Sequence, residues 1–350
     1  MGPVEASVMR GTTFVNAKRI VHVGASLMLL GLGFATPAGC SQPAVHCTAE
    51  LGEGVARFTI DRSKLKAVPA SCQTDPTMAP FNAFPCVLSK PTDITAGTCV
   101  STSDTSMFYF GLETYVPNPM DPNSPSEVNS MAIKAEWTGQ RIQNYQNNFT
   151  DNPNYPYTGT PPPPPPQGTG VNYPFAFGKF DTVHPDDATG MCTVSNIANS
   201  EMTYPEVPSY ASTDASGNMI MTPDLPAATV KYDWSNVKTY VRASSLGVQT
   251  YAKLTITQTV AKTDASPAYN CSIPYIVSIL VPRIQCASAA DPTQPDPKLC
   301  DPNPDGPNNP SGSGITEDVT PSCENIGTAD SPDFECLPPT AASDPNTGSL

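Results

Sequence analysis

The chain has 350 residues with 18 Lys and Arg against 32 Asp and Glu, a formal net charge of −14, and only 14% charged residues. So acidic a balance argues against a nucleic-acid partner, because phosphate binding needs clustered Lys and Arg. The 41 Pro and 23 Gly predict much irregular backbone, and 11 Cys in a chain of this size point to an oxidising compartment.

The N-terminus reads as an export signal. Lys18 and Arg19 form a basic flank to the apolar run Val23–Ala35. Its 13 residues are too few to cross a bilayer as a helix but suit the apolar region of a signal peptide. Pro37-Ala38-Gly39-Cys40 resembles the bacterial lipobox, with Pro37 where Leu is usual. The expectation is cleavage after residue 39 and a fatty-acylated (palmitate-type) Cys40 as the first residue of the mature chain. Ser41 in the next position resembles the pattern sorted to the outer membrane, on either its periplasmic or its surface face. The stretch before Lys18 is long for a signal, so Met9 is an alternative start.

Residues 40–286 read as one β domain. Phe108, Phe110, Leu112 and Val116 share a face, as do Met131, Ile133, Ala135 and Trp137, and Ala252, Leu254, Ile256 and Val260 alternate with polar residues. That two-residue period is the mark of strands with one wet face. Val237, Thr239 and Val241 predict another strand, and weaker ones fall at 55–60, 173–180 and 190–197. The run 273–284 is apolar on both faces, which predicts a central strand covered on both sides; Pro274 and Pro282 rule out a membrane helix. The fold class expected is all-β, an antiparallel sandwich or small barrel of about eight strands.

Two segments break the pattern. Residues 138–170 hold Tyr145, Phe149, Tyr155 and Tyr157 among Asn residues, then Pro161–Pro166. The prolines favour a stiff polyproline II rod, and exposed aromatics in a polar loop can stack on sugar rings or pack on a partner, so these four are candidate binding residues. Residues 287–350 carry eleven Asp and Glu against one Lys. This acidic tail is expected to be largely disordered apart from what its Cys residues staple.

Without Cys40, ten Cys remain: Cys47, Cys72, Cys86, Cys99, Cys192, Cys271, Cys286, Cys300, Cys323 and Cys336. An even number with no C-x-x-C spacing reads as a disulfide set rather than a metal or redox centre. Connectivity is open; sequence neighbours offer Cys47 with Cys72, Cys86 with Cys99, Cys271 with Cys286, and Cys323 with Cys336.

The stretches Cys47–Ile60, Tyr232–Thr257 with the following Cys271-SIPYIVSILVP, and Gly312–Cys336 resemble uncharacterised secreted lipoproteins of myxobacteria. The resemblance implies a location and a β fold, and no activity.

Motifs for chemistry are few. There is no G-x-S-x-G elbow, H-E-x-x-H pair, P-loop or dinucleotide fingerprint. The mature chain has only His46 and His184, both read as solvated loop residues, so a multi-histidine metal site is excluded. No metal or cofactor is expected. Asp301-x-Asn303-x-Asp305-Gly306 opens like a calcium loop, but Gly312 stands where the required Glu belongs. Glu113 and Glu136 are strand carboxylates of the kind glycosidases pair, and they read more simply as solvated. The leading expectation is therefore a noncatalytic cell-envelope lipoprotein, membrane-bound through Cys40, that binds or supports an envelope protein or a polysaccharide. The alternatives are a barrel-type carrier of a small ligand and a carbohydrate-active hydrolase with an Asp/Glu pair. An apolar cavity would favour the carrier, and a core filled by Trp137, Trp234 and the Phe residues would exclude it.

Overall fold

The computed structural model describes residues 45–61, 63–64, 84–85, 108–116, 127–138, 174–204, 211–213, 216–221, 226–242, 245–262, 268–303, 312–315, 319–328 and 330–339. In chain order the strands are β1 (Gly52–Ile60), β2 (Tyr109–Tyr115), β3 (Ser130–Ala135), β4 (Phe175–Lys179), β5 (Met191–Val194), β6 (Ile197–Ala198), β7 (Ser200–Tyr204), β8 (Ala211–Thr213), β9 (Met219–Met221), β10 (Ala228–Arg242), β11 (Ser245–Val260), β12 (Tyr269–Leu280), β13 (Ser322–Asn325) and β14 (Phe334–Leu337). A 3-10 turn covers Pro297–Cys300.

The protein is all-β, and its main sheet runs β5-β10-β11-β12-β1-β2-β3-β4-β6 with every pairing antiparallel. One stretch nearly closes that sheet into a barrel. β5 pairs with Val237–Tyr240 of β10, the chain then crosses so that β6 pairs with Phe177 and Gly178 of β4, and it returns as β7 to pair with Ala228–Tyr232 of β10. Counting β5, β6 and β7 as one broken stave, the barrel has eight. The crossing falls opposite a bulge in β10, between Ser235 and Lys238, where Asn236 adopts φ 51°. A bulge leaves a residue out of the ladder and bends the strand, which frees the partner to leave. Gly178 is required at the same place: a Cβ there would lie 2.6 Å from Val194 Cγ1 and 2.7 Å from the Asn196 carbonyl.

The interior follows from the two-residue alternation. Ala56, Phe58 and Ile60 of β1 face Ile279, Val277 and Tyr275 of β12 across the ladder, and all are buried. Phe58 sits edge-on to Phe108 and Tyr275 at 5.9 and 5.5 Å between centroids, and Phe110 meets Trp234 at 5.7 Å. Trp137 and Trp234 are 1% and 5% exposed, as expected of core residues. An eight-stranded barrel has room either for side chains or for one small ligand. Here aromatic rings in contact occupy that room, which leaves the carrier reading without support.

The expectation that β12 is covered on both faces holds only for its C-terminal end: outward-facing Ser278 and Leu280 are buried, whereas Pro274 and Ile276 are half-buried and Ser272 is exposed. Its inward face meets the barrel core, and its outward Leu280 joins Val248, Cys286, Cys300, Ile315, Val319 and Cys336 in a second apolar cluster. The cover is the acidic C-terminal region. Segment 284–286 hydrogen-bonds to β14, through the Cys286 amide to the Phe334 carbonyl and the Cys336 amide to the Ile284 carbonyl, and β13 completes a hairpin with β14. The Cys-stapled share of this region is thus larger than its charge and low apolar content suggest. Ten cysteines cannot be paired from sequence order, and geometry overturns three of the neighbour pairings. Cys47 bonds Cys192, Cys286 bonds Cys323, and Cys300 bonds Cys336. Cys323 and Cys336 are cross-strand partners on β13 and β14, yet each reaches down to the chain between β12 and β13. Cys271 is also disulfide-bonded, with a partner outside the described residues. The suggested Cys86–Cys99 pair lies outside them as well.

Buried charge completes the attachment. Arg57, 9% exposed on the outer face of β1, holds both carboxylate oxygens of Glu324 at 3.0 and 2.6 Å and the Ser322 hydroxyl at 2.9 Å. Arg283 donates to Glu335 at 2.8 Å, to Glu53 at 2.7 Å and to the Tyr109 hydroxyl at 2.8 Å. Burial works against the charge on Arg283, but the bonds to Glu53 and Glu335 outweigh it and raise its pKa. Burial pushes the fully buried Glu335 up, and it pushes the Tyr109 phenol well above its ordinary value. Burial likewise opposes ionisation of Glu324, yet its bonds to Arg57 and Ser322 hold it below the usual carboxylate range.

Candidate functional site

The segment just after the expected anchor is stitched across one end of the barrel. The Cys47 amide donates to the Val183 carbonyl at 2.8 Å, Asn129 Nδ2 donates to the Cys47 carbonyl at 2.8 Å, and Thr114 Oγ1 both accepts from the Ala49 amide at 2.8 Å and donates to its carbonyl at 3.0 Å. The Cys47–Cys192 disulfide fixes this segment to β5. Beside it lies an open pocket of about 940 Å³ lined by Val45, Asp181, Thr182, His184, Pro185, Asp186, Asp187, Gly190, Met191, Thr193, Val241 and Arg242.

Local rules set the pocket's shape. Asp186 opens a tight turn: its Oδ1 accepts from the Ala188 and Thr189 amides at 3.1 and 2.9 Å and from the Thr189 hydroxyl at 2.9 Å, an Asx-type arrangement. Those bonds, the Thr189 amide first, keep its pKa below the ordinary aspartate value. The turn closes at Gly190, whose φ of 70° suits glycine and whose Cβ, if present, would lie 3.1 Å from Arg242 Nε and 3.2 Å from the Tyr240 ring. The Val241 amide then donates to the Gly190 carbonyl at 2.7 Å, which pins the turn to the end of β10. Beneath, Met191, Tyr240 and Tyr251 form a small apolar cluster, and the Arg242 guanidinium lies 5.0 Å from the centre of the Tyr240 ring.

His46 and His184 meet beside this pocket, and His184 lines it. His46 and His184 rings stand edge to face, 5.0 Å between centroids, and His184 Nδ1 is 3.0 Å from the Val45 carbonyl. His184 is exposed in a loop, as expected, and His46 is half-buried; that the two would meet across 138 residues could not be read from sequence. Arg242 and Asp181 were not singled out by any motif.

The other candidates fare differently. Cys40, Cys72, Cys86, Cys99, Tyr145, Phe149, Tyr155 and Tyr157 lie outside the described residues, as do positions 304–311 of the calcium-like loop; Asp301 there caps the Asn303 amide at 2.9 Å. Glu113 stands opposite Ala132 on β3, whereas Glu136 follows the end of that strand in a helical turn, so the sheet does not set the two side by side. Glu113 instead accepts from the Tyr115 hydroxyl at 2.7 Å. The Sγ atoms of Cys286, Cys300 and Cys323 lie within 4.8 Å of one another, but each is held in a disulfide, whereas metal ligation needs thiolates. Among the described residues, no helix is long and apolar enough to cross a membrane.

Fold and site together define a disulfide-stapled antiparallel barrel with an aromatic core and an open pocket beside its N-terminal segment. The chain belongs to the MlpA family, whose model matches residues 89–272, just over half of its length. No curated protein and no solved structure matches the chain.

Proposed function

We propose that this protein is an exported lipoprotein of the bacterial cell envelope, anchored to the outer membrane through acylated Cys40, with a noncatalytic binding role. The observation that supports it most is the order of parts: a basic flank, a 13-residue apolar run and Ala38-Gly39-Cys40, then within seven residues the first cysteine of a disulfide-stapled barrel. Disulfides persist in oxidising compartments, so the barrel's chemistry agrees with the signal ahead of it. Membership of the MlpA family agrees with the resemblance to myxobacterial lipoproteins. A noncatalytic role is supported by the core occupied by aromatic side chains. The partner is an envelope protein or a polysaccharide, met through the exposed surface of the barrel.

Intact mass of the protein extracted from membranes tests this. The expected result is a chain beginning at Cys40, heavier by a diacylglyceryl group and a fatty acid, and loss of membrane association in Cys40→Ser. A chain in the soluble fraction with an unmodified Cys40 would contradict the anchor.

A further inference from the structure

We infer that the pocket beside the N-terminal segment holds the headgroup of an aminophospholipid, with Arg242 taking the phosphate and Asp187 the primary ammonium. The inference rests on the anchored reading above, and four observations point to it.

Position is the first. Val45 lines the pocket and stands five residues after Cys40. A chain of that length spans at most about 18 Å. An acyl group on Cys40 therefore keeps this pocket within reach of the lipid surface.

The second is a pair of unused charges. Among the described residues, Asp181 spends both carboxylate oxygens on Ser195, and Asp186 uses its Oδ1 to hold its own turn. The side chains of Asp187 and Arg242 make no hydrogen bond or ion pair with any described residue, although both line the pocket. Arg242 is set in place by Gly190 and the Tyr240 ring rather than by a carboxylate. A guanidinium matches the oxygens of a phosphate by paired N–H donation.

Third, the local charge selects a zwitterion. Asp181, Asp186 and Asp187 against one Arg would repel a ligand of net negative charge, and the chain as a whole is acidic at −14. Anionic lipid surfaces attract basic segments, not acidic ones.

Fourth, the lining separates ethanolamine from choline. A trimethylammonium group is bound in aromatic cages. This lining has no Trp, Tyr or Phe, since Tyr240 is buried beneath Arg242. A carboxylate suits a primary ammonium, which can donate hydrogen bonds to it.

The test uses the full mature chain as Cys40→Ser, so that headgroup recognition is read without acylation and stands or falls separately from the anchor. Cosedimentation is measured with phosphatidylcholine vesicles, with phosphatidylcholine–phosphatidylethanolamine vesicles, and with phosphatidylcholine–phosphatidylglycerol vesicles. The expected result is about tenfold preference for the phosphatidylethanolamine vesicles, lost in both Arg242→Gln and Asp187→Asn, because each removes one charge-assisted contact. Both residues are exposed, and unchanged far-ultraviolet circular dichroism checks the fold of each variant. Equal binding to all vesicles, binding to none, or a preference that survives both substitutions overturns the proposal. Calorimetry with soluble glycerophosphoethanolamine separates the sources: binding there without any vesicle preference would assign the pocket to a free phosphoester and overturn the lipid.

Discussion

The barrel and its C-terminal cover are held together in different ways. The barrel buries Phe58, Phe108, Phe110, Trp137, Trp234 and Tyr275 with aliphatic neighbours from eight staves, so its stability comes from apolar area removed from water. The cover has a handful of apolar side chains, and three of the seven buried residues in its cluster are cysteines. The Cys300–Cys336 disulfide braces it internally, Cys286–Cys323 ties it to the chain just after β12, and the Arg57 and Arg283 ion pairs fix it to β1 and the end of β12. A segment too polar to build its own core can still be ordered when cross-links limit its unfolded state and a neighbour's sheet supplies the apolar face.

The largest effects should fall in the barrel. Trp234→Ala or Phe58→Ala removes a buried ring with no room to collapse, and each should cost about 3–5 kcal/mol in equilibrium denaturation, with global loss of structure. Cys300→Ser with Cys336→Ser opens a closure of 36 residues. That pair should cost about 3 kcal/mol in the cover, read as early protease cleavage in 287–339 while the barrel's tryptophan fluorescence is unchanged. If both regions melted together, the division drawn here would be wrong.

A smaller, sharper contrast is Arg283→Ala. It leaves Glu335, 0% exposed, beneath the cover without its guanidinium. The cost should be about 2–3 kcal/mol, discounted because Arg283 is itself a quarter exposed, and double-mutant analysis with Glu335→Gln should recover part of it.

Acidity offers the mildest perturbation. Glu324 titrates below its ordinary range in the folded state, so the folded state binds fewer protons than the unfolded one there. Its contribution is complete above the unfolded carboxylate value and disappears as pH falls through the folded one. Hydrogen exchange in β13 and β14 should accelerate as pH drops below about 4.5 once corrected for intrinsic rates, and less so in Glu324→Gln. An unchanged acid response in that variant would remove Glu324 from the account.

Much of the barrel was legible. Strands whose apolar residues alternate, such as Ala252–Val260, or run unbroken, such as Ile273–Ile279, lie where the two-residue period puts them. What escaped detection was short or polar. Ser200–Tyr204 reads as a loop, yet it is the stave that helps to close the barrel, because its partner β10 supplies the apolar side. β13 and β14 carry Glu324 and Glu335, which argue for solvent until Arg57 and Arg283 are seen to meet them. The pocket was least legible of all, since it joins Val45, the 181–193 loop and Arg242 through pairings that no local pattern encodes.

Peptide mapping of the oxidised protein tests the two-region account most directly. The account predicts peptides linked through Cys47–Cys192, Cys286–Cys323 and Cys300–Cys336. Recovery of Cys323 linked to Cys336, or of Cys286 linked to Cys271, would detach the hairpin from the chain that follows β12 and contradict it.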